Sequence, residues 1–512
     1  TTIMYQMMNS LIDEGVNPKN ILYVSFDNPI VKLVNVETVL SIYESLYPIE
    51  GTRYIFLDEI QYTEHWELWM KVIYDSRKDI RLTATGSASP ILEKGSTDSG
   101  TGRWSILKIP TMSFYEYCRL LQIEEPILPG NLRLTRLVKM SKAELGDLMD
   151  RFAPLEGHFN RYLMIGGFPE LVLSDDDMYA QRMLREDVVD KVIKRDVLTL
   201  FNIRSPLLME KLFLYLCMNS TEIFSVTTAA KELENTSAAT IDSYIEALEM
   251  SNLIYLSKPM DVGSKGALKG KPKIYIADAA IRNAVLMIDD VLSDEREFGA
   301  MVETTVYKHI VSFYQGSTAQ LGYFRKAKDN QKEVDVVIEL PREKILCEVK
   351  YRNNSHIPAT DAIVELCKDE SAKVTSAFLI TKQLDDFGIA KHETQVPILR
   401  VCPLVTTGGY FSARFIGERS CAHTFVWRMR LHIQSKASGN ILKACHSPYI
   451  EHPIPGALIF CLKEVALCRV NIRNTGRWQT QRSGSLPAAT KAGRSSCAQR
   501  RGSISIHTTN RS

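Results

Sequence analysis

Apolar positions recur with helical spacing from the first residues: Ile3, Met4, Met7, Met8, Leu11 and Ile12 predict a helix over 3–14. Continuous apolar runs follow, separated by polar stretches. Asn20 to Phe26, Tyr54 to Asp58 and Leu82 to Ser87 read as buried strands, with a helix at Trp66 to Ser76 between two of them. Strands alternating with helices predict a parallel sheet covered on both faces. This organisation fades near Leu120. From about 150 to 260 the pattern is helical, with a punctuated turn at 162–169 and a long amphipathic helix around 178–201. Helices near 225–234 and 237–251, then a strand at Leu253 to Leu256, predict a winged helix over 207–256. Residues 273–403 return to mixed α/β. There a helix is expected at Phe298 to Val311, with strands near Gly322–Phe324, Val334–Ile338, Lys344–Val349 and Ala377–Ile380.

Length and charge refine this picture. The 512 residues allow two to four domains with real cores. The net charge of +2 hides an asymmetry: residues 405–512 hold sixteen Lys/Arg against three Asp/Glu, so residues 1–404 carry −11. Beyond 404 no period of 2 or 3.6 is sustained, Asp is absent after Asp386, and six of the ten cysteines lie at or beyond 402. The segment 405–512 therefore reads as an unstructured or aberrant tail, to which no function is assigned. No apolar run of about 18 residues predicts a membrane span, and no signal peptide opens the chain, so a cytoplasmic protein with no membrane partner is expected.

Candidate chemistry begins at Tyr54-Ile55-Phe56-Leu57-Asp58-Glu59, four apolar residues ending in two acids, the pattern of a Walker B strand. A buried parallel strand would bring both acids to the carboxyl edge of the sheet, where open α/β folds bind ligands. Asp58 would hold Mg²⁺ and Glu59 would polarise the attacking water. Thr1 and Thr2 open a helix in the way the residues after Gly-Lys open the Walker A helix, which gives Thr1 to Mg²⁺ and both to nucleotide binding. Thr1 could equally be a simple helix cap. Thr85 and Ser87, at the end of the third strand, suit a water-orienting role, and Arg103 could bring positive charge to the transferring phosphoryl group. Taken with Trp66, Gly86, Gly102, Ser113-Phe-Tyr-Glu-Tyr117, Gly166-Gly-Phe-Pro-Glu170, Arg195-Asp196 and Lys273-Ile-Tyr-Ile-Ala-Asp278, these motifs resemble the archaeal and bacterial AAA-type ATPases with a C-terminal domain of unknown function. The resemblance covers roughly residues 1–400. It implies ATP and Mg²⁺ as ligands and ATP hydrolysis as the activity. It also makes a homo-oligomer an expectation. The glycines, lysine and strand of Walker A do not precede Thr1 here, so the sheet is expected to be incomplete and this chain to bind ATP poorly.

A second constellation lies in the C-terminal region. Glu303 on a helix, Asp335 in a strand, and Glu348 and Lys350 on one face of the next resemble a PD-(D/E)xK nuclease core, which implies Mg²⁺-assisted attack on a phosphodiester. The basic residues nearby (Arg325, Lys326, Lys328, Lys332, Lys344) favour DNA, while the body's net charge of −11 opposes it. The second helix of the predicted winged helix, 237–251, has no Lys or Arg and suits protein packing better than a DNA groove. The expected organisation is an AAA-type ATPase domain at 1–125, a helical and winged-helix connector at 150–260, and a mixed α/β restriction-endonuclease-like domain at 273–403. The readings left open are an ATPase that moves its C-terminal domains, a DNA nuclease regulated by the ATPase, and a non-enzymatic interaction protein.

Overall fold

The computed structural model describes residues 1–404 and 458–463, apart from 49, 87–103, 125, 127–136, 138, 199–200, 202, 234–235, 261–269, 289–291, 327–331 and 384–385. The first helix, α1, spans Thr2–Asp13. It leads into β1 (Ile21–Ser25), α2 (Val36–Leu46), β2 (Arg53–Asp58), α3 (Trp66–Ser76), β3 (Ile80–Gly86) and β4 (Trp104–Ile109). Ile55, Phe56 and Leu57 of β2 are fully enclosed, as expected of a central parallel strand. Trp66, Met70 and Ile73 recur at helical spacing on the buried stripe of α3 and share a core with Ile55 and Leu57.

Neighbouring strands of this first sheet run parallel. The pairing Ser25↔Asp58 brings the ends of β1 and β2 to the same edge. The sheet order is β1, β2, β3, β13, β4, where β13 is Leu458–Lys463. The sequence reading placed no element in 405–512. The run Leu-Ile-Phe-Cys-Leu is nevertheless continuous and apolar, and it pairs in parallel with both β3 and β4.

Two further differences have local causes. β4 lay outside the expected strands because Trp-Ser-Ile-Leu-Lys-Ile shows neither strict alternation nor an uninterrupted apolar run. The helix expected around 178–201 begins regularly at Asp177–Met183 and continues over 184–190 and 192–197 with wider, π-helical turns.

The middle of the chain is helical (142–152, 156–165, 206–218, 226–232 and 238–250) and ends in an antiparallel pair, β5 (Ile254–Pro259) and β6 (Lys273–Ile276). The remaining strands are β7 (Gln320–Arg325), β8 (Glu333–Glu339), β9 (Lys344–Lys350), β10 (Ser376–Thr381), β11 (Gly388–Ile389) and β12 (Ile398–Val401). They join the pair in one mixed sheet of order β11, β12, β10, β9, β8, β7, β5, β6. β5 serves two partners: residues 254–257 pair with β6, and Lys258 and Pro259 pair with Gly322 and Tyr323 of β7. Gly322 permits this approach, since a Cβ there would lie 2.2 Å from the Lys258 carbonyl oxygen.

A buried polar hub joins the segments. Lys308, on the helix Glu295–Tyr314, places Nζ 2.7 Å from Asp278 Oδ2, 3.1 Å from the Met112 carbonyl oxygen and 3.0 Å from the Tyr162 hydroxyl. Thr111 Oγ1 and the Gly167 N–H also donate to Asp278 Oδ2. The glycine pair of the Gly-Gly-Phe-Pro motif has its physical reason here. Gly166 has φ +77°, and a Cβ on Gly167 would fall 2.2 Å from the Met112 carbonyl oxygen. Next to the hub, His309 accepts the Phe114 N–H on Nε2 and stands 2.7 Å from the Thr305 carbonyl through Nδ1, which selects the tautomer protonated on Nδ1. Burial, with Lys308 adding to it, lowers the imidazole to about 3 and keeps it neutral.

Candidate functional site

The buried end of β2 gathers the first constellation. Asp58 is 1% exposed, and its carboxylate collects hydroxyl groups from three separate elements. Thr1 Oγ1 donates to Oδ2 at 2.6 Å, and Tyr23 of β1 donates to the same oxygen at 2.8 Å. Thr85, near the end of β3, donates to Oδ1. The Thr1 amino group stands 3.6 Å from Oδ1. Thr1 heads α1, yet its side chain makes no capping hydrogen bond to the helix; the hydroxyl is turned to the carboxylate instead. Thr2 is the first residue of the helix. Met4 is buried in the same first turn, with its sulfur 4.0 Å from Thr85 Oγ1.

Glu59 follows with φ 54° and ψ 46°, a left-handed conformation uncommon for a residue with a side chain. Its N–H points to Thr85 Oγ1 at 3.4 Å, and its Oε2 accepts from Gln61 Nε2 at 2.7 Å. The turn sends consecutive carboxylates in different directions: Asp58 stays in the strand's buried edge and Glu59 is half-buried beyond it. Backbone strain of this kind concentrates at functional sites. Ser87 and Arg103 lie outside the described residues.

Sequence reasoning missed Tyr23. It pairs with Phe56 in the parallel register and lies two residues before Ser25, so it shares a face with the strand's last residue. Burial, with Tyr5 and Asp58 adding to it, pushes the phenol upward and keeps it a proton donor. The signal was present in Ile-Leu-Tyr-Val-Ser, but it becomes readable only once the register is known.

The donor set suits a hard divalent cation, since Thr1 and Asp58 offer adjacent hydroxyl and carboxylate oxygens at one sheet edge. These two residues would hold Mg²⁺.

The second constellation also comes together. Lys350 Nζ is 2.5 Å from Glu348 Oε1, Glu348 Oε2 accepts the Asp335 N–H at 3.3 Å, and Asp335 Oδ2 accepts the Val349 N–H at 2.9 Å. A residue that sequence reasoning did not assign to it, Lys273 of β6, enters the same cluster. Its Nζ is 2.7 Å from both Glu303 Oε1 and Asp335 Oδ1, and 3.4 Å from Glu333 Oε1. Tyr275, on the same face of β6, donates to Glu303 Oε1 at 2.9 Å and stacks on Tyr307. Of the nearby basic residues, Lys326 and Lys332 both pair with Glu365, and Lys344 pairs with Glu339. Lys328 is outside the described residues. Among the described residues, no helix is long and apolar enough to cross a membrane.

Three stretches of the chain match known domain models. Residues 1–118 match the model of an AAA domain. Residues 156–292 match a domain of unknown function, DUF8612, and residues 298–401 match another, DUF4143. An uncharacterized protein of Haemophilus influenzae is 21% identical over 382 residues, which is 73% of this chain and 85% of that protein. Two uncharacterized proteins of Methanocaldococcus jannaschii are 24% and 27% identical, covering 69% and 65% of this chain and 72% and 69% of their own lengths. No solved structure matches. The chain thus carries a P-loop ATPase-like AAA domain at residues 1–118, followed by a DUF4143 domain at residues 298–401.

Proposed function

We propose that this chain forms the ATP-hydrolysing domain and attached C-terminal domains of a Mg²⁺-dependent ATPase. The observation that carries the reading is the Thr1 hydroxyl resting on the Asp58 carboxylate across 57 positions of sequence instead of capping its own helix. Mg²⁺ bound there would neutralise charge on the phosphate oxygens. Asp58, enclosed and fixed by Tyr23 and Thr85, supplies the fixed negative charge. Glu59, half-buried and steadied by Gln61, accepts a proton from an attacking water. Thr85 links the two acids, since its hydroxyl donates to one and faces the N–H of the other.

Nucleotide state would reach the C-terminal domains through the Asp278–Lys308 hub, which touches Thr111 and Met112 just after β4. Helices 206–218, 226–232 and 238–250 with the β5–β6 pair support a winged-helix reading for the connector, and the absence of Lys and Arg from 238–250 favours a protein partner.

The test is ATP turnover with and without Mg²⁺, on a chain in which a strand and a Gly-x-x-x-x-Gly-Lys loop precede Thr1. Glu59→Gln is expected to keep ATP binding and to lower turnover by about two orders of magnitude or more. Hydrolysis undiminished in that variant would refute the assignment.

A further inference from the structure

The resemblance to a PD-(D/E)xK core implies a divalent cation among Glu303, Asp335 and Glu348, and the residues present do not fit one. A hard cation needs oxygen ligands converging on a point about 2.0–2.6 Å away, and at this site the carboxylates would have to supply them. Here the point between Glu303 Oε1 and Asp335 Oδ1 is taken by Lys273 Nζ, 2.7 Å from each. Lys273 is 1% exposed, so the ammonium is built into the interior and is not a mobile surface group. Three of the four remaining oxygens are engaged as well: Asp335 Oδ2 by the Val349 N–H, Glu348 Oε1 by Lys350 and Glu348 Oε2 by the Asp335 N–H. Among the described residues, no group of three or more His, Cys, Asp or Glu side chains is arranged to hold a metal ion.

We propose that the Lys273 ammonium stands in place of a divalent cation, closing this cluster to metal and making it a clasp between the β5–β6 pair and the C-terminal domain. Three elements meet on one nitrogen: β6 supplies it, the helix Glu295–Tyr314 brings Glu303, and β8 brings Asp335. A metal entering the cluster would have to displace a buried charged group. Loss of the proton does not open a way either: burial opposes the charge, but Asp335 and Glu303 hold the ammonium far above its ordinary range. The clasp reading also fits the engagement of Lys326 and Lys332 with Glu365, which draws basic groups away from a phosphodiester.

The experiment follows Mn²⁺ binding by loss of the free-ion paramagnetic resonance signal, in the full chain carrying Asp58→Asn so that the first site does not contribute. The parent is expected to show no saturable site into the millimolar range. Adding Lys273→Gln, which removes the ammonium and leaves the carboxylates, is expected to create one site at least tenfold tighter than any parent binding. Saturable binding in the parent that disappears with Asp335→Asn would overturn the proposal. So would Mg²⁺-dependent nicking of supercoiled DNA that disappears with the same change. A Lys273→Gln chain with unaltered circular dichroism and no gain in Mn²⁺ binding would also overturn it. If that variant does not fold, the parent measurement and the nicking assay still decide the matter.

Discussion

Asp58 and Asp335 are both buried carboxylates in strands of α/β sheets, and their surroundings are opposite in kind. Around Asp58 the close donors are hydroxyls of Thr1, Tyr23 and Thr85, with the Thr1 amino group farther out at 3.6 Å. Around Asp335 the donors are the Lys273 ammonium and a backbone N–H, with Lys350 beyond Glu348. Hydroxyls satisfy lone pairs and bring no charge of their own, and the charged Thr1 amino group stands 3.6 Å from the carboxylate. An ammonium satisfies the lone pairs and cancels the charge together. The difference separates a carboxylate held mainly by hydroxyls from one paired with an ammonium inside the fold, although both look alike as acids in the sequence.

The widest gap between the two sites should appear in stability. Asp335→Asn removes one of the two carboxylates 2.7 Å from a buried ammonium and is expected to cost about 3 kcal/mol. Asp58→Asn exchanges one hydrogen-bonding group for another among hydroxyl partners, with the Thr1 amino group 3.6 Å away, and should cost about 1 kcal/mol. Denaturant unfolding of the two variants measures both, and equal losses would erase the distinction.

A smaller effect, on the order of 2 kcal/mol, is expected from Glu348→Gln, and it should depend on pH. Burial, with Asp335 adding to it and Lys350 opposing it, pushes the Glu348 carboxyl up from 4.5 to about 8. Its contribution to stability is therefore complete below pH 4.5 and is lost as pH rises toward about 8. The variant escapes that loss, so its melting temperature should gain on the parent's between pH 4.5 and 8. A difference that is flat across this range would show that the cluster does not hold its charges as described.

His309 gives a slope of opposite sense nearby. Its imidazole is lowered from 6.5 to about 3, so the stability it contributes is present above pH 6.5 and is lost on acidification toward about 3. His309→Gln should flatten the acid limb of the melting curve, by on the order of 1–2 kcal/mol. A similarly small change is expected from Tyr23→Phe, which removes one hydroxyl from Asp58 and should cost about 1 kcal/mol. Because Thr1 and Thr85 still hold Asp58, the variant should fold normally and shift mainly the Mg²⁺ concentration needed for turnover.

Legibility in the sequence followed the range of the interactions. The strand ending in Asp58 and Glu59 could be read because an uninterrupted apolar run and its acidic stop are local signals. The helix bearing Glu303 and the strands bearing Asp335 and Glu348 were legible for the same reason. Tyr23 and Lys273 were not, since each acquires its role from a partner strand or helix that only the folded chain supplies. Lys273 had one sequence cue: it shares a face with Tyr275 in a four-residue strand otherwise made of Ile and Tyr, an odd place for a solvated lysine. The wide turns of 184–197 could not be read, because a helical period of 3.6 and its π variant differ too little over two turns.

The double pairing of β5 limits how this protein can be cut. Its first four residues belong to the pair with β6 and its last two to the sheet that runs on to β12, and the close approach at Gly322 locks the junction. An expression fragment ending before residue 298, the start of the DUF4143 match, would leave Lys258 and Pro259 as an unpaired edge and Lys273 without Glu303 and Asp335. Bare edges of this kind recruit other chains. A fragment beginning at residue 298 would carry the complementary wound, a β7 edge with no neighbour. The boundary that sequence models draw between these two domains is therefore not a place to divide them, and any fragment should keep 254–404 together.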